Sequence, residues 1–192
     1  DCSTYLNKIE AINVEERWVR VQPGVVINSL NTTLRPFGLM LGPDPASAER
    51  ATVGGSLANN ATGAHSILYG MFADQVLGAD VVLDDGSRTH FDTLAPTAPA
   101  WVSRAAGDSR AAAIYAGVQR LLQTYGQDIQ THFPAHWRRS SGYGLTYLLA
   151  DAPGRHPTYA TRPLGLAPLL AGSEGTLAVM TSVTLAVVPR PP

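Results

Sequence analysis

TVGGSLANNATGAHSILYG, Thr52 to Gly70, is the stretch on which the reading of this chain turns. It holds four glycines, three alanines and two adjacent asparagines, and beyond Val53 its only aliphatic bulk is Leu57, Ile67 and Leu68. Glycine loses the most backbone entropy on folding, so such a segment stabilises poorly for its length. Two readings follow from the residues alone. One is a connection packed tightly with small side chains. The other is a main chain that passes close to a ligand. In the second, Gly54-Gly55 lets successive N–H groups point into one concavity, a nest for phosphate oxygens, with Asn59, Asn60 and Thr62 as side-chain donors beside it. Gly63 and the Tyr69-Gly70 pair then bend the chain back against a flat ring. No G-x-G-x-x-G fingerprint and no Walker loop occur.

Outward from this stretch, ERWVRVQPG (16–24) alternates like a strand and stops at Pro23-Gly24. VVINSLNTTLRPFG (25–38) sets Ile27, Leu30, Leu34 and Phe37 at helical spacing. LMLGPDPAS (39–47) reads as a short extended piece entering a proline-bounded loop. Val81–Leu83, the turn 84–87 and Arg88–Phe91 predict a β-hairpin. APTAPA (95–100) reads as a linker. The stretch from Gly107 predicts a helix capped by Asp108 or Ser109, with Ile114, Val118, Leu121, Leu122 and Tyr125 on one face and Gly126 as its end. HFPAHWRRSSGYGL (132–145) is a basic loop running into a short apolar helix. Leu177, Val179, Val183, Leu185 and Val187 predict one or two closing strands. Strands and helices mix without a βαβ rhythm, which favours α+β with an antiparallel or mixed sheet.

Composition excludes several classes. The chain has 192 residues, 45% hydrophobic, with a net charge of −1 and 7% aromatics. That suits one folded domain, and it offers neither the basic field nor the stacking surface of a nucleic-acid binder. Cys2 is the only cysteine, so the chain can build no cysteine cluster for zinc or iron–sulfur. No apolar run reaches the ~20 residues of a membrane span. His132 and His136 stand at i, i+4, but Pro134 between them argues against a helix offering both to a metal, and no metal site is expected. His65 reads as a surface or hydrogen-bonded loop residue.

The ordered set VQPGV, LGPDPAS, TVGGSLANNATG, YG, SGYGL and LLAGSEGTLAVMTSVTL resembles the FAD-linked oxidase family, whose FAD-binding domain is of the vanillyl-alcohol oxidase or para-cresol methylhydroxylase (PCMH) type. The likeness is strongest to its group of glycolate oxidase subunits, D-lactate dehydrogenases and D-2-hydroxyglutarate dehydrogenases, and it runs from Cys2 to Pro189. It implies FAD as cofactor. It implies that Pro43, Asp44 and Pro45 with Thr52, Val53, Gly54 and Gly55 lie against that cofactor, with Gly54 and Gly55 amides on the pyrophosphate. Asn59, Asn60, Thr62 and Gly63 continue along the phosphates and ribityl chain, Tyr69 and Gly70 approach the flavin, and Glu174, Gly175 and Val179 meet the adenine portion. Arg138 and Arg139 are candidates for a substrate carboxylate, beside the alternative of a solvated basic loop. No catalytic base is identifiable.

The resemblance further implies that residues 1–192 are the second lobe of the FAD domain, since neither the family's glycine-rich pyrophosphate loop nor its substrate domain is found. The activity expected of the parent enzyme is oxidation of a small 2-hydroxy acid by hydride transfer to flavin, with a quinone or iron–sulfur electron acceptor, in the cytoplasm or peripheral to a membrane. A flavin reductase of the enolpyruvyl-glucosamine reductase type, or a non-catalytic ligand-binding module, stands as the alternative.

Overall fold

The computed structural model describes residues 1–139, 141–159 and 164–191. Its centre is a five-stranded sheet of β1 (Ile9–Asn13), β2 (Trp18–Val21), β4 (Val76–Val82), β5 (Arg88–Asp92) and β6 (Val179–Ala186). The spatial order is β1-β2-β6-β4-β5, and every neighbouring pair is antiparallel. Strand β6, the last of these five along the chain, therefore occupies the middle of the sheet. A second, two-stranded ladder joins β3 (Leu39–Met40) to β7 (Val188–Pro189).

Register sorts the two faces. Val19 stands opposite Leu185, Val21 opposite Val183, and Ala79 opposite both Val183 and Phe91. All six are buried, as the period of two requires for one packed face. The other face is polar. The Arg20 guanidinium bridges Glu10 at 3.0 Å and Asp80, the Ser182 hydroxyl donates to Glu10 at 2.7 Å, and His90 Nδ1 lies 2.7 Å from Asp80.

Against the packed face lie the buried sides of α2 (Ile27–Leu34), α3 (Val53–Ala58) and α7 (Leu166–Leu169), the last in contact with β4 and β5. Helices α5 (Pro99–Ala105) and α6 (Arg110–His132) pack on each other and add Trp101, Tyr115 and Val118 to the same core. Short helices α1 (Cys2–Tyr5) and α4 (Ser66–Tyr69) lie near the surface. Among the described residues no helix is long and apolar enough to cross a membrane.

The α+β class and the mainly antiparallel sheet agree with the sequence reading, as do β2, α2, the β4–β5 hairpin and the closing strands. Four local expectations are corrected. Helix α6 passes through Gly126 and ends at His132, because Gly126 lies in open space where nothing enforces a stop. Its buried side is Ala112, Tyr115, Val118 and Ile129, with Ile114 and Leu122 partly buried, while Tyr125 faces solvent. Phe37 falls in a 3₁₀ turn after α2 and is exposed rather than continuing its buried stripe. Pro99 and Ala100 of the expected linker open α5, with proline at the first helical turn where its missing N–H costs nothing.

Candidate functional site

The small-residue stretch is not one continuous loop. Thr52 takes an extended backbone and its hydroxyl accepts from the Gly55 N–H at 3.3 Å, capping α3. The expected nest is therefore changed in kind. The Val53 N–H donates to the Val25 carbonyl and the Gly54 N–H to the Pro23 carbonyl, both at 2.8 Å. These amides are consumed by the chain and cannot also serve a pyrophosphate. Gly54 is small for an internal reason, since a Cβ there would stand 2.5 Å from Pro23 Cβ. Val53 is likewise buried in the core. Gly55 differs. It is exposed, and a Cβ there would touch only the Thr52 hydroxyl, at 3.2 Å.

From α3 an exposed strip runs outward. Asn59, one turn beyond Gly55, is exposed, and Thr62 and Gly63 are half-buried. Asn60 turns inward instead. Its backbone is left-handed (φ 49°), its carbonyl oxygen accepts from the Ala73 N–H at 3.0 Å, and its amide nitrogen lies 3.8 Å from the Met71 sulfur. It is a buried strut rather than a ligand donor. The proline loop closes on the far end of the strip. The Asp44 carboxylate accepts from the His65 N–H at 2.9 Å and meets its ring Nδ1 at 2.5 Å, and the Asp44 carbonyl leaves no room for a Cβ on Gly63. Pro43 is buried and Pro45 half-buried beside it. His65 thus answers to the hydrogen-bonded loop residue expected of it.

The GSEG turn, over a hundred residues later in sequence, docks on the same helix. The Gly172 N–H donates to the Leu57 carbonyl at 3.2 Å and the Glu174 N–H to the Ala58 carbonyl at 3.0 Å, so this turn caps the carboxy end of α3. Glu174 and Gly175 have left-handed backbones and are exposed, as is Val179 at the start of β6. Among the described residues the Gly175 and Leu177 N–H groups donate to nothing in the chain. Gly55 and Asn59 along α3, and Glu174 and Gly175 on the turn docked at its carboxy end, are all exposed. Main chain so little covered permits close approach by a phosphate-bearing or flat group.

Of the two arginines, Arg139 is committed inward. It donates to the Pro134 carbonyl at 3.0 Å and the Thr146 hydroxyl at 2.8 Å and stacks over Phe133, and its burial pulls the guanidinium below its ordinary pKa. Arg138 stays exposed, donates to the Gly63 carbonyl at 2.8 Å, and lies over Trp137. Of the two, Arg138 is the one whose guanidinium lies exposed beside Gly63. His132 ends α6 and His136 lies beyond it, so the two do not share a helix face, and among the described residues no group of three acidic, cysteine or histidine side chains converges as for a metal.

Behind Tyr69-Gly70 lies a cluster that sequence reasoning missed. Asp74 is buried, accepting from the Met71 N–H at 2.8 Å and the Tyr147 hydroxyl at 2.9 Å. Burial pushes its carboxyl above the usual carboxylate range despite those bonds, and burial likewise drives the Tyr147 phenol well above its ordinary value. The available signal was the acid in MFADQV (71–76), set with Gln75 in a mainly apolar run. Tyr147 and His156, reaching in from the other half of the chain, had none.

Comparison with known proteins adds a family and relatives. A model of the FAD binding domain family matches residues 1–92. The chain is 37% identical to a D-2-hydroxyglutarate dehydrogenase of Pseudomonas putida over 191 residues, all of this chain but 18% of that protein. It is 36% identical to the D-2-hydroxyglutarate dehydrogenase of Pantoea ananatis, again over 18% of its length. Over 98% of this chain and 26% of the other, it is 29% identical to a D-lactate dehydrogenase of Anaerostipes hadrus. The chain thus spans about a fifth of the length of the first two relatives.

Proposed function

We propose that this chain, whose residues 1–92 match a model of the FAD binding domain family, forms part of the FAD-holding domain of a flavin-dependent dehydrogenase of small 2-hydroxy acids. The substrate class comes from the relatives named for D-2-hydroxyglutarate and D-lactate. The observation that carries the reading is the docking of the GSEG turn on α3 through the Leu57 and Ala58 carbonyls. It brings a turn outside the matched residues into hydrogen-bond contact with the family-matched segment.

In this reading Gly55, Asn59, Thr62 and Gly63 line the cofactor's phosphate and ribityl side, with Pro45 and Asp44 closing the rim. Tyr69 and Gly70 face the ring system, and Glu174, Gly175 and Val179 the adenine end. Thr52, Val53, Gly54, Asn60 and Pro43 act from behind, by shaping α3 and its approach. Arg138 is the candidate for the substrate carboxylate. When bound, FAD supplies an acceptor for the hydride equivalent leaving the hydroxyl-bearing carbon. The electrons pass on to a quinone or an iron–sulfur partner, whose cysteines come from elsewhere because Cys2 stands alone. The compartment that suits this chemistry is the cytoplasm or the cytoplasmic face of a membrane.

The test is the visible spectrum of the full-length natural protein, before and after anaerobic addition of D-2-hydroxyglutarate, D-lactate and glycolate. The expected result is an oxidised-flavin spectrum that bleaches with at least one of them. A protein with no flavin, or one bleached by NADPH and by none of these acids, overturns the proposal.

A further inference from the structure

Nine polar residues are buried among those described, and five of them, Asn60, Ser66, Asp74, Gln75 and His156, lie within or against the segment 60–75. Most of them hold a main-chain atom of that segment. Ser66 Oγ accepts from the Gly63 N–H at 2.9 Å. His156 Nε2 donates to the Ile67 carbonyl at 2.9 Å, which leaves Nδ1 to accept from the Thr158 N–H at 3.3 Å. Gln75 Nε2 donates to the Tyr69 carbonyl at 2.5 Å. Asp74 and Asn60 hold the N–H groups of Met71 and Ala73, and Tyr147 fixes Asp74 from behind. Gly70 bends at φ 72°, where a Cβ would fall 2.4 Å from Asp74 Oδ2. From Gly63 to Ala73 the chain is pinned about every second residue.

Packing by apolar side chains alone would leave these main-chain N–H and C=O groups unpaired and undirected. What hydrogen bonds add is direction, since each one fixes a single main-chain atom. The surface so fixed is apolar and bare. Ile67 is 69% and Leu68 59% exposed, with Tyr69 half-buried beside them. Exposed apolar side chains on a rigidly held backbone mark a contact face.

We propose that this buried polar layer, with His156 and Tyr147 as positioning residues, holds Ile67–Gly70 in the one shape on which the flat ring system of the cofactor lies, and thereby sets FAD affinity. The proposal rests on the FAD-dehydrogenase reading above. Its test uses the full-length protein stripped of flavin, with FAD dissociation constant, bound-flavin spectrum and apoprotein melting temperature measured together. His156→Leu is expected to weaken FAD binding about tenfold and to shift the visible band, as loss of one fixed contact implies. His156→Gln, which keeps an N–H donor, recovers most of that loss. Tyr147→Phe, which keeps the packed ring and decides the matter if His156→Leu does not fold, weakens binding by a smaller factor. Wild-type affinity and an unchanged spectrum in these variants, with only the apoprotein melting temperature lowered, overturn the proposal and leave the layer purely structural. A wild-type protein that binds no FAD overturns instead the reading on which it rests.

Discussion

Gly54 and Gly55 are adjacent and chemically identical, yet the structure gives them opposite duties. Gly54 is buried with its would-be Cβ against Pro23, whereas Gly55 sits on the solvent side of α3. Gly54→Ala is therefore expected to lower the stability of the protein by about 1–3 kcal/mol through overpacking against backbone that cannot retreat. Thermal melting of the apoprotein reads this directly, and flavin content falls only as folding fails. Gly55→Ala has the reverse signature. Alanine's helical advantage of about 0.5–1 kcal/mol over glycine is offset by its Cβ standing 3.2 Å from the Thr52 cap hydroxyl, so the apoprotein melts close to wild type, while FAD titration shows several-fold weaker binding. Equal FAD affinity in Gly55→Ala would remove that residue from the proposed cofactor surface.

Each secondary-structure element carries its own test. Helix α6 is anchored by Ser109, whose hydroxyl accepts from the Ala112 N–H at 3.1 Å. Ser109→Ala should cost about 1 kcal/mol, read as a lower denaturant midpoint at unchanged slope. On the polar face of the sheet, desolvation raises the Glu10 carboxyl, but its hydrogen bonds from Ser182 and Arg20 outweigh that and hold it below the usual range. A depressed folded-state value means stability present above the ordinary carboxylate pKa and lost as pH falls through the folded one. Wild type should thus exceed Glu10→Gln in stability near neutral pH, with the two converging under acid. A gap that stays constant with pH would show that ionisation of Glu10 contributes nothing.

For the folded chain taken together, Asp74 predicts the opposite trend. Burial raises its folded-state value, so its contribution is complete below the ordinary carboxylate pKa and is lost as pH rises through the folded one. The stability of wild type relative to Asp74→Asn should therefore decline with rising pH across that window, the inverse of the Glu10 comparison. Chemical denaturation of both variants from acid to neutral pH measures it, and a flat difference sinks the assignment.

Much of this architecture was legible one segment at a time. The alternation of β2, the stripe Ile27, Leu30, Leu34 of α2, the Asp84–Ser87 turn with its flanking strands, and the Ser109 cap are local patterns with local causes, because periods of 2 and 3.6 residues and the turn chemistry of Asp and Gly act within a few positions. The ordered small-residue motifs likewise pointed to FAD before any coordinate. What tertiary structure decided is which atoms are left over. Whether a glycine's N–H faces a ligand or a neighbouring carbonyl depended on Pro23, some thirty residues upstream. Whether Asn60 and Arg139 look outward depended on Met71, Ala73 and Thr146, and the layer under Ile67–Gly70 needed His156 from 89 residues away. A hydrogen bond consumes its donor wherever its partner lies along the chain, and only the folded arrangement sets those pairings, so the donors open to a cofactor were fixed by the fold.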